Sequence, residues 1–254
     1  MTSQAMSRVE NDLTPKADCL DCPHRQDRLR SGRCIPGFSC VRVSSGRQIA
    51  NFFNNNPDLA DHYAGDEFWE RRAIAARYLS WKRLMQMLDD PDEVVRRVLA
   101  YRLPVESLSY LIRDPDREVR ITVADRLPVD QLEQLVADKD YLVRQYVAKR
   151  LSKGRLFRMI TDPDREVRKM VAKRLPQESL ALMIHDKDAE IRLVVAERIE
   201  PDAMRTLLRD SDWRVRLVAC QRAHLEDIEP LLNDEDEDVR SFARERYHWQ
   251  QEQL

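Results

Sequence analysis

From Asp66 onward, apolar and polar positions recur with a period of 24 residues. The clearest copies open at Asp90, Asp114 and Asp162 and read Asp-Pro-Asp-x-x-Val-Arg-x-x-(Leu/Val)-Ala-x-Arg-Leu-Pro. Related copies open at Asp138, Asp186 and Asp210, and weaker ones at Asp66 and Asp234, so eight follow one another without an insertion. Counting the opening Asp as position 1, apolar residues hold positions 6, 9, 10 and 14, the spacing of one helix face. Positions 4, 5, 8 and 12 are mostly polar and form the solvent face. Each copy therefore predicts an α-helix of about twelve residues, roughly 18 Å long. The opening Asp is expected to cap it, with the Pro at position 2 in its first turn. The position-3 Asp adds charge at the positive end of the dipole. Pro104, Pro128 and Pro176 at position 15 stop the helix. A second apolar set, such as Leu108, Leu111 and Ile112, predicts a short α- or 3₁₀-helix folding back on the first. One such unit cannot bury its own apolar face, so an all-α solenoid is expected.

Three repeated positions invite explanation. Position 7 is Arg in all eight copies: Arg72, Arg96, Arg120, Arg144, Arg168, Arg192, Arg216 and Arg240. It lies one turn after the position-3 Asp, so an i, i+4 pair is expected. Stacked copies would turn these pairs into a structural Asp–Arg ladder, a reading that outweighs a basic ligand groove. Position 13, Arg in every copy but the first, projects from the last turn towards free carbonyls. Position 11 is small, Ala from Ala76 to Ala196 and then Cys220, which is expected to be a buried stand-in for Ala.

Composition narrows the classes. Only five Gly occur in 254 residues, and three of them fall between Gly32 and Gly46. Nucleotide-binding α/β folds and hairpin-rich β folds need more. Lys and Arg number 43 against 45 Asp and Glu, a net charge of −2 that disfavours nucleic acid as an obligate partner. No apolar run is long enough to cross a membrane, and the first twenty residues lack the apolar stretch of a secretory signal. A cytoplasmic protein is expected, where thiols stay reduced and a cysteine cluster points to a metal.

Four of the five cysteines lie between Cys19 and Cys40, as Cys19-x2-Cys22 and Cys34-x5-Cys40. Four thiolates suit a tetrahedral zinc or an iron–sulfur cluster. The second spacing is wide for a zinc knuckle, which favours iron–sulfur and leaves zinc as the alternative. Arg25, Arg28, Arg30, Arg33 and Arg42 surround the cysteines and would offset a cluster's negative charge. His24 is a possible substitute zinc ligand, although a lone His beside Pro is more often solvent-exposed. The stretch Ser44 to Gly65 reads as an adaptor, with Ile49, Phe52 and Phe53 plugging the end of the solenoid. The domains expected are 1–45 for the cysteine module, 46–65 for the adaptor and 66–254 for eight repeats.

Together these features resemble the leucine-rich repeat variant proteins, a small bacterial family, over almost the whole chain. The resemblance implies alternating α- and 3₁₀-helices in a right-handed solenoid without β-sheet. It also implies a [4Fe-4S] cluster on Cys19, Cys22, Cys34 and Cys40, in a nitrogen-fixing setting. No nucleophile elbow, metalloprotease motif or phosphate loop occurs. The expected function is non-enzymatic: a scaffold that binds a macromolecule, protein rather than nucleic acid, and carries a redox-active cluster. The alternatives are an electron-transfer protein docking its partner on the solenoid, and a zinc-stabilised interaction module.

Overall fold

The structure is a computed structural model describing residues 14–251, with side chains to residue 249. The ends of the expected domain ranges, 1–13 and 252–254, lie outside the described residues. The chain divides into two compact units, Met1–Thr122 and Val123–Leu254. Among the described residues there is no strand, only an isolated antiparallel bridge between Ile35 and Ser39. No helix of the described residues is long and apolar enough to cross a membrane.

The first unit opens with the cysteine loops, then α1 (Gly46–Asn55), α2 (Trp69–Ala75), α3 (Trp81–Leu84) and α4 (Glu93–Arg102). Next in the chain is α5 (Arg117–Arg126). The second unit holds α6 (Tyr141–Arg150), α7 (Arg165–Arg174), α8 (Ala189–Ala196), α9 (Trp213–Arg222) and α10 (Glu237–Gln251). Between successive helices run 3₁₀ segments at Val105–Leu111, Val129–Leu135, Lys153–Met159, Gln177–Met183 and Pro201–Arg209. The core follows the repeat pattern: positions 6, 10, 11 and 14 are buried, as Val143, Val147, Ala148 and Leu151 show. Leu156 and Met159 close the core from the 3₁₀ side. Each such Val, Leu or Met side chain contributes about 1.5–3 kcal/mol through burial. Position 9 is only half-buried in most copies, Tyr146 and Met170 among them, so the face is narrower there than its spacing suggests.

The caps differ from the expectation. The helix N-cap is the position-3 Asp: Asp92, Asp140, Asp164, Asp188 and Asp212 each accept from the backbone N–H two residues on. The opening Asp instead accepts from the position-3 N–H, as Asp162 does from Asp164 at 2.9 Å. Two carboxylate-closed turns thus follow in series, with the position-2 residue between them and outside the helix.

The arginine pairing also differs. The position-7 guanidinium reaches the opening Asp of the following copy, 18 residues on, and not the position-3 Asp one turn back. Arg144 donates to both Asp162 oxygens at 2.7 and 2.9 Å, and to the Asp138 carbonyl at 2.8 Å. Arg168 with Asp186, Arg192 with Asp210 and Arg216 with Asp234 repeat this in the second unit. Arg72 with Asp90 and Arg96 with Asp114 do so in the first. The ladder is therefore an inter-repeat device, and these guanidiniums are committed to structure. Burial alone would raise the Asp210 carboxyl, but Arg192 and the Asp212 N–H hold it below its ordinary value.

The position-13 arginines reach carbonyls, but those of the preceding copy. Arg174 donates to Ala148 O at 2.6 Å and Leu151 O at 2.9 Å, and Arg198 repeats the pattern on Ala172 and Leu175. The last carbonyls of one helix are satisfied from the next, which is where helix ends need a donor.

Candidate metal centre

The cysteine loops are short, irregular and braced by α1. A turn brings Cys22 N to Cys19 O at 3.4 Å, and a one-turn π-helix, Arg25–Leu29, follows. The second pair is set by the Ile35–Ser39 bridge, whose two backbone hydrogen bonds are 2.9 and 2.7 Å. The flanking residues, Cys34 and Cys40, then face each other across a narrow two-stranded turn. Gly37 has φ 81° inside that turn, a conformation that L side chains rarely adopt.

α1 supplies the bracing. Gln48 accepts from Cys40 N through its carbonyl at 3.1 Å, and its side chain donates to Pro15 O at 2.9 Å. Asn51 donates to Phe38 O, and Asn56 to both Arg33 O and Phe52 O. Ile49, Phe52 and Phe53 are fully buried, with Phe52 and Phe53 packed edge-on against Tyr63. Of these apolar residues of the adaptor, Phe52 packs against His24, two residues after Cys22.

Cys34 and Cys40 are buried, while Cys19 and Cys22 are half-exposed. The Cys40 thiol is pulled below its ordinary pKa by a hydrogen bond with Cys34, and Cys34 is raised by the same contact. Burial and the charges of Cys40 and Cys22 raise Cys19, so the two pairs lie within electrostatic reach of each other. Among the described residues, no three His, Cys, Asp or Glu side chains stand together at metal-holding distances. The donor set nonetheless fits a thiolate-bound group: two sulfurs in contact in a buried floor, and two more on a loop beside them. Cys220 lies in α9, in the other unit, fully buried at the small-residue position; burial pushes its thiol up to about 11.

His24 departs from its expected exposure. It is 7% exposed, 2.7 Å from the Tyr63 hydroxyl and tilted against Phe52. Its Nε2 is engaged with Tyr63, so it serves as a strut. Nothing but the apolar residues of the adaptor could have signalled this, since the partner lies 39 residues away. Burial lowers the His24 pKa, against a smaller opposing pull from Asp27. The fold thus favours neutral imidazole, and the unfolded chain takes up a proton first as pH falls below about 6.5. Stability should therefore drop as pH falls through about 6.5, with a smaller drop in His24→Gln. Parallel urea midpoints for the two proteins would contradict the assignment.

Repeated helix and 3₁₀ units beside a four-cysteine module define a repeat protein with a cysteine-rich N-terminal segment. Residues 15–62 match the family described as "LRV protein FeS4 cluster", and 117–140 and 165–188 match "Leucine rich repeat variant". A solved structure, "a leucine-rich repeat variant with a novel repetitive protein structural motif", is 56% identical. That match covers 92% of this chain and 100% of the other, with a TM-score of 0.85. A curated relative, the "Uncharacterized 27.7 kDa protein in nifB 3′region" of Rhodobacter capsulatus, is 42% identical over 94 residues. That match spans 37% of this chain and only 38% of the relative's length. The chain belongs to the leucine-rich repeat variant family and carries its iron–sulfur segment, as an all-α solenoid of α/3₁₀ repeats.

Proposed function

We propose that Cys19, Cys22, Cys34 and Cys40 hold one [4Fe-4S] cluster, and that the chain is a non-enzymatic scaffold presenting it to a protein partner. The observation that carries this reading is the match of the segment holding all four cysteines to the FeS4 family, together with the contact between the Cys34 and Cys40 thiols inside it. A bound cluster would supply one-electron redox chemistry. The chain's own residues provide thiolate donors and the brace of Gln48 and Asn56, on and at the end of a helix whose Phe52 and Ile49 are fully buried. Arg25, Arg33 and Arg42 add positive charge around an anionic centre.

A scaffold role rests on the solenoid's surface, whose repeated charges are largely spent on structure. A concavity of about 970 Å³ in the second unit is lined by Arg192, Asp210, Arg205 and Asp227, which are already paired with one another. The reducing cytoplasm suits a thiolate site, and the relative from the nifB region suggests a nitrogen-fixation setting. Anaerobic iron and sulfide analysis with a visible spectrum tests the cofactor. A brown protein absorbing broadly near about 400 nm and bleaching on reduction is expected. A colourless protein holding zinc would overturn it, because the filled d-shell of zinc gives no such bands.

A further inference from the structure

We propose that the loop over Cys19 and Cys22 is the docking surface for an acidic electron-carrier protein. The inference rests on the cluster reading above and specifies which face the partner uses. Cys34 and Cys40 are buried, so the half-exposed Cys19–Cys22 side is where a bound centre comes nearest the surface. At its middle stands Leu20, 65% exposed. Arg25 Nη1 donates to the Leu20 carbonyl at 3.3 Å and Arg42 Nη1 to the Asp21 carbonyl at 3.0 Å. Both guanidiniums are thereby laid against the same loop, in exposed residues. Ile35 and Phe38, also exposed, flank the second cysteine pair.

The charge around this loop runs against the rest of the chain. Residues 14–43 carry six Lys and Arg against three Asp, whereas the whole protein has a net charge of −2. Of the three acids, Asp18 is turned onto the Leu20 N–H at 2.8 Å and Asp27 is paired with Arg28 at 3.1 Å. A bound cluster's own negative charge offsets part of this excess, and the exposed Arg25 and Arg42 on the loop leave a positive rim that orients an acidic partner towards this end. An exposed apolar side chain beside guanidiniums, as Leu20 is beside Arg25, is the anatomy of a protein interface, and a phosphate backbone would leave Leu20 uncovered. The exchange is of one electron: the carrier is oxidised by one as the bound centre is reduced by one, with no bond made or broken.

Oxidised flavodoxin, an acidic flavin carrier, is a suitable probe, because its binding can be read without any turnover. The full chain and Arg25→Glu/Arg42→Glu are first analysed for iron and sulfide, then titrated with flavodoxin at several salt concentrations. The wild type should bind, and more weakly as salt rises. The double variant should lose about tenfold or more in affinity, and its salt dependence should flatten. Leu20→Gln should weaken binding at every salt concentration alike. If neither protein holds iron, the reading of the cysteines fails and the docking proposal falls with it. If both hold iron, the proposal alone is overturned by wild type that does not bind, or by equal affinities in wild type and double variant. Binding of anionic vesicles or single-stranded RNA through the same arginines, without flavodoxin binding, also overturns it.

Discussion

Arg144→Ala is expected to destabilise the second unit by about 3–5 kcal/mol, the cost of breaking a buried ion pair from one side. The Arg144 and Asp162 side chains are 11% and 5% exposed, and the contact is bidentate. Truncation leaves the Asp162 carboxylate with only the Asp164 N–H, and leaves the Asp138 carbonyl without this donor. The control is Arg165→Ala in the same unit, whose partner is Glu166 and whose pair is 69% and 43% exposed. An exposed pair contributes at most about 1 kcal/mol, so that variant should melt like wild type. Thermal melts of the three proteins decide the matter. If Arg144→Ala and Arg165→Ala melted together, the ladder would not be holding the copies to one another. Arg144→Lys should recover only part of the loss, because an ammonium cannot make the two-point contact.

Cys34→Ala and Cys40→Ala should abolish or strongly reduce iron binding, while Cys220→Ala leaves iron content and spectrum unchanged. The first two remove a sulfur from the buried floor, where no other thiol of the described residues stands in hydrogen-bond contact. Cys220 is fully buried in α9 at a position where six other copies place Ala, so its loss removes one sulfur atom from a close-packed seam. Iron, sulfide and the visible spectrum of each variant are the readouts. Full iron in Cys34→Ala, or iron lost from Cys220→Ala, would reverse the assignment of ligands.

Much of this molecule is legible along one dimension. The 24-residue period places the helices, because apolar spacing within a helix is set by its own 3.6-residue turn. The Pro at position 15 and the small residue at position 11 act through neighbouring backbone, and both behave as local rules predict. The cysteine spacing likewise points to a thiolate site, since two residues between thiols decide what one loop can present. The choice of cap was legible only in part. Asp at positions 1 and 3 are both good caps, and which one closes the helix depends on where the chain turns. The structure gives that role to Asp164 and its equivalents, because Asp162 is drawn away to close the turn before it and to meet Arg144.

The register of the repeats, the all-α class, the buried stripe and the grouping of four cysteines could all be read along the chain. These follow from contacts between residues less than two turns apart, where spacing alone fixes which side chains share a face. It took the packing of copy on copy to show that six position-7 arginines, Arg72, Arg96, Arg144, Arg168, Arg192 and Arg216, pair 18 residues forward and that Arg174 reaches back to Ala148. His24 likewise proves a buried strut on Tyr63 rather than a solvent-exposed side chain. Such partners are chosen by how one copy is set against the next, or by how α1 folds under the loops. A guanidinium flanked by several carboxylates has no sequence-local reason to prefer one of them. Desolvation makes the choice, because the carboxylate buried with the guanidinium, deepest between copies, is the one that cannot be left to water.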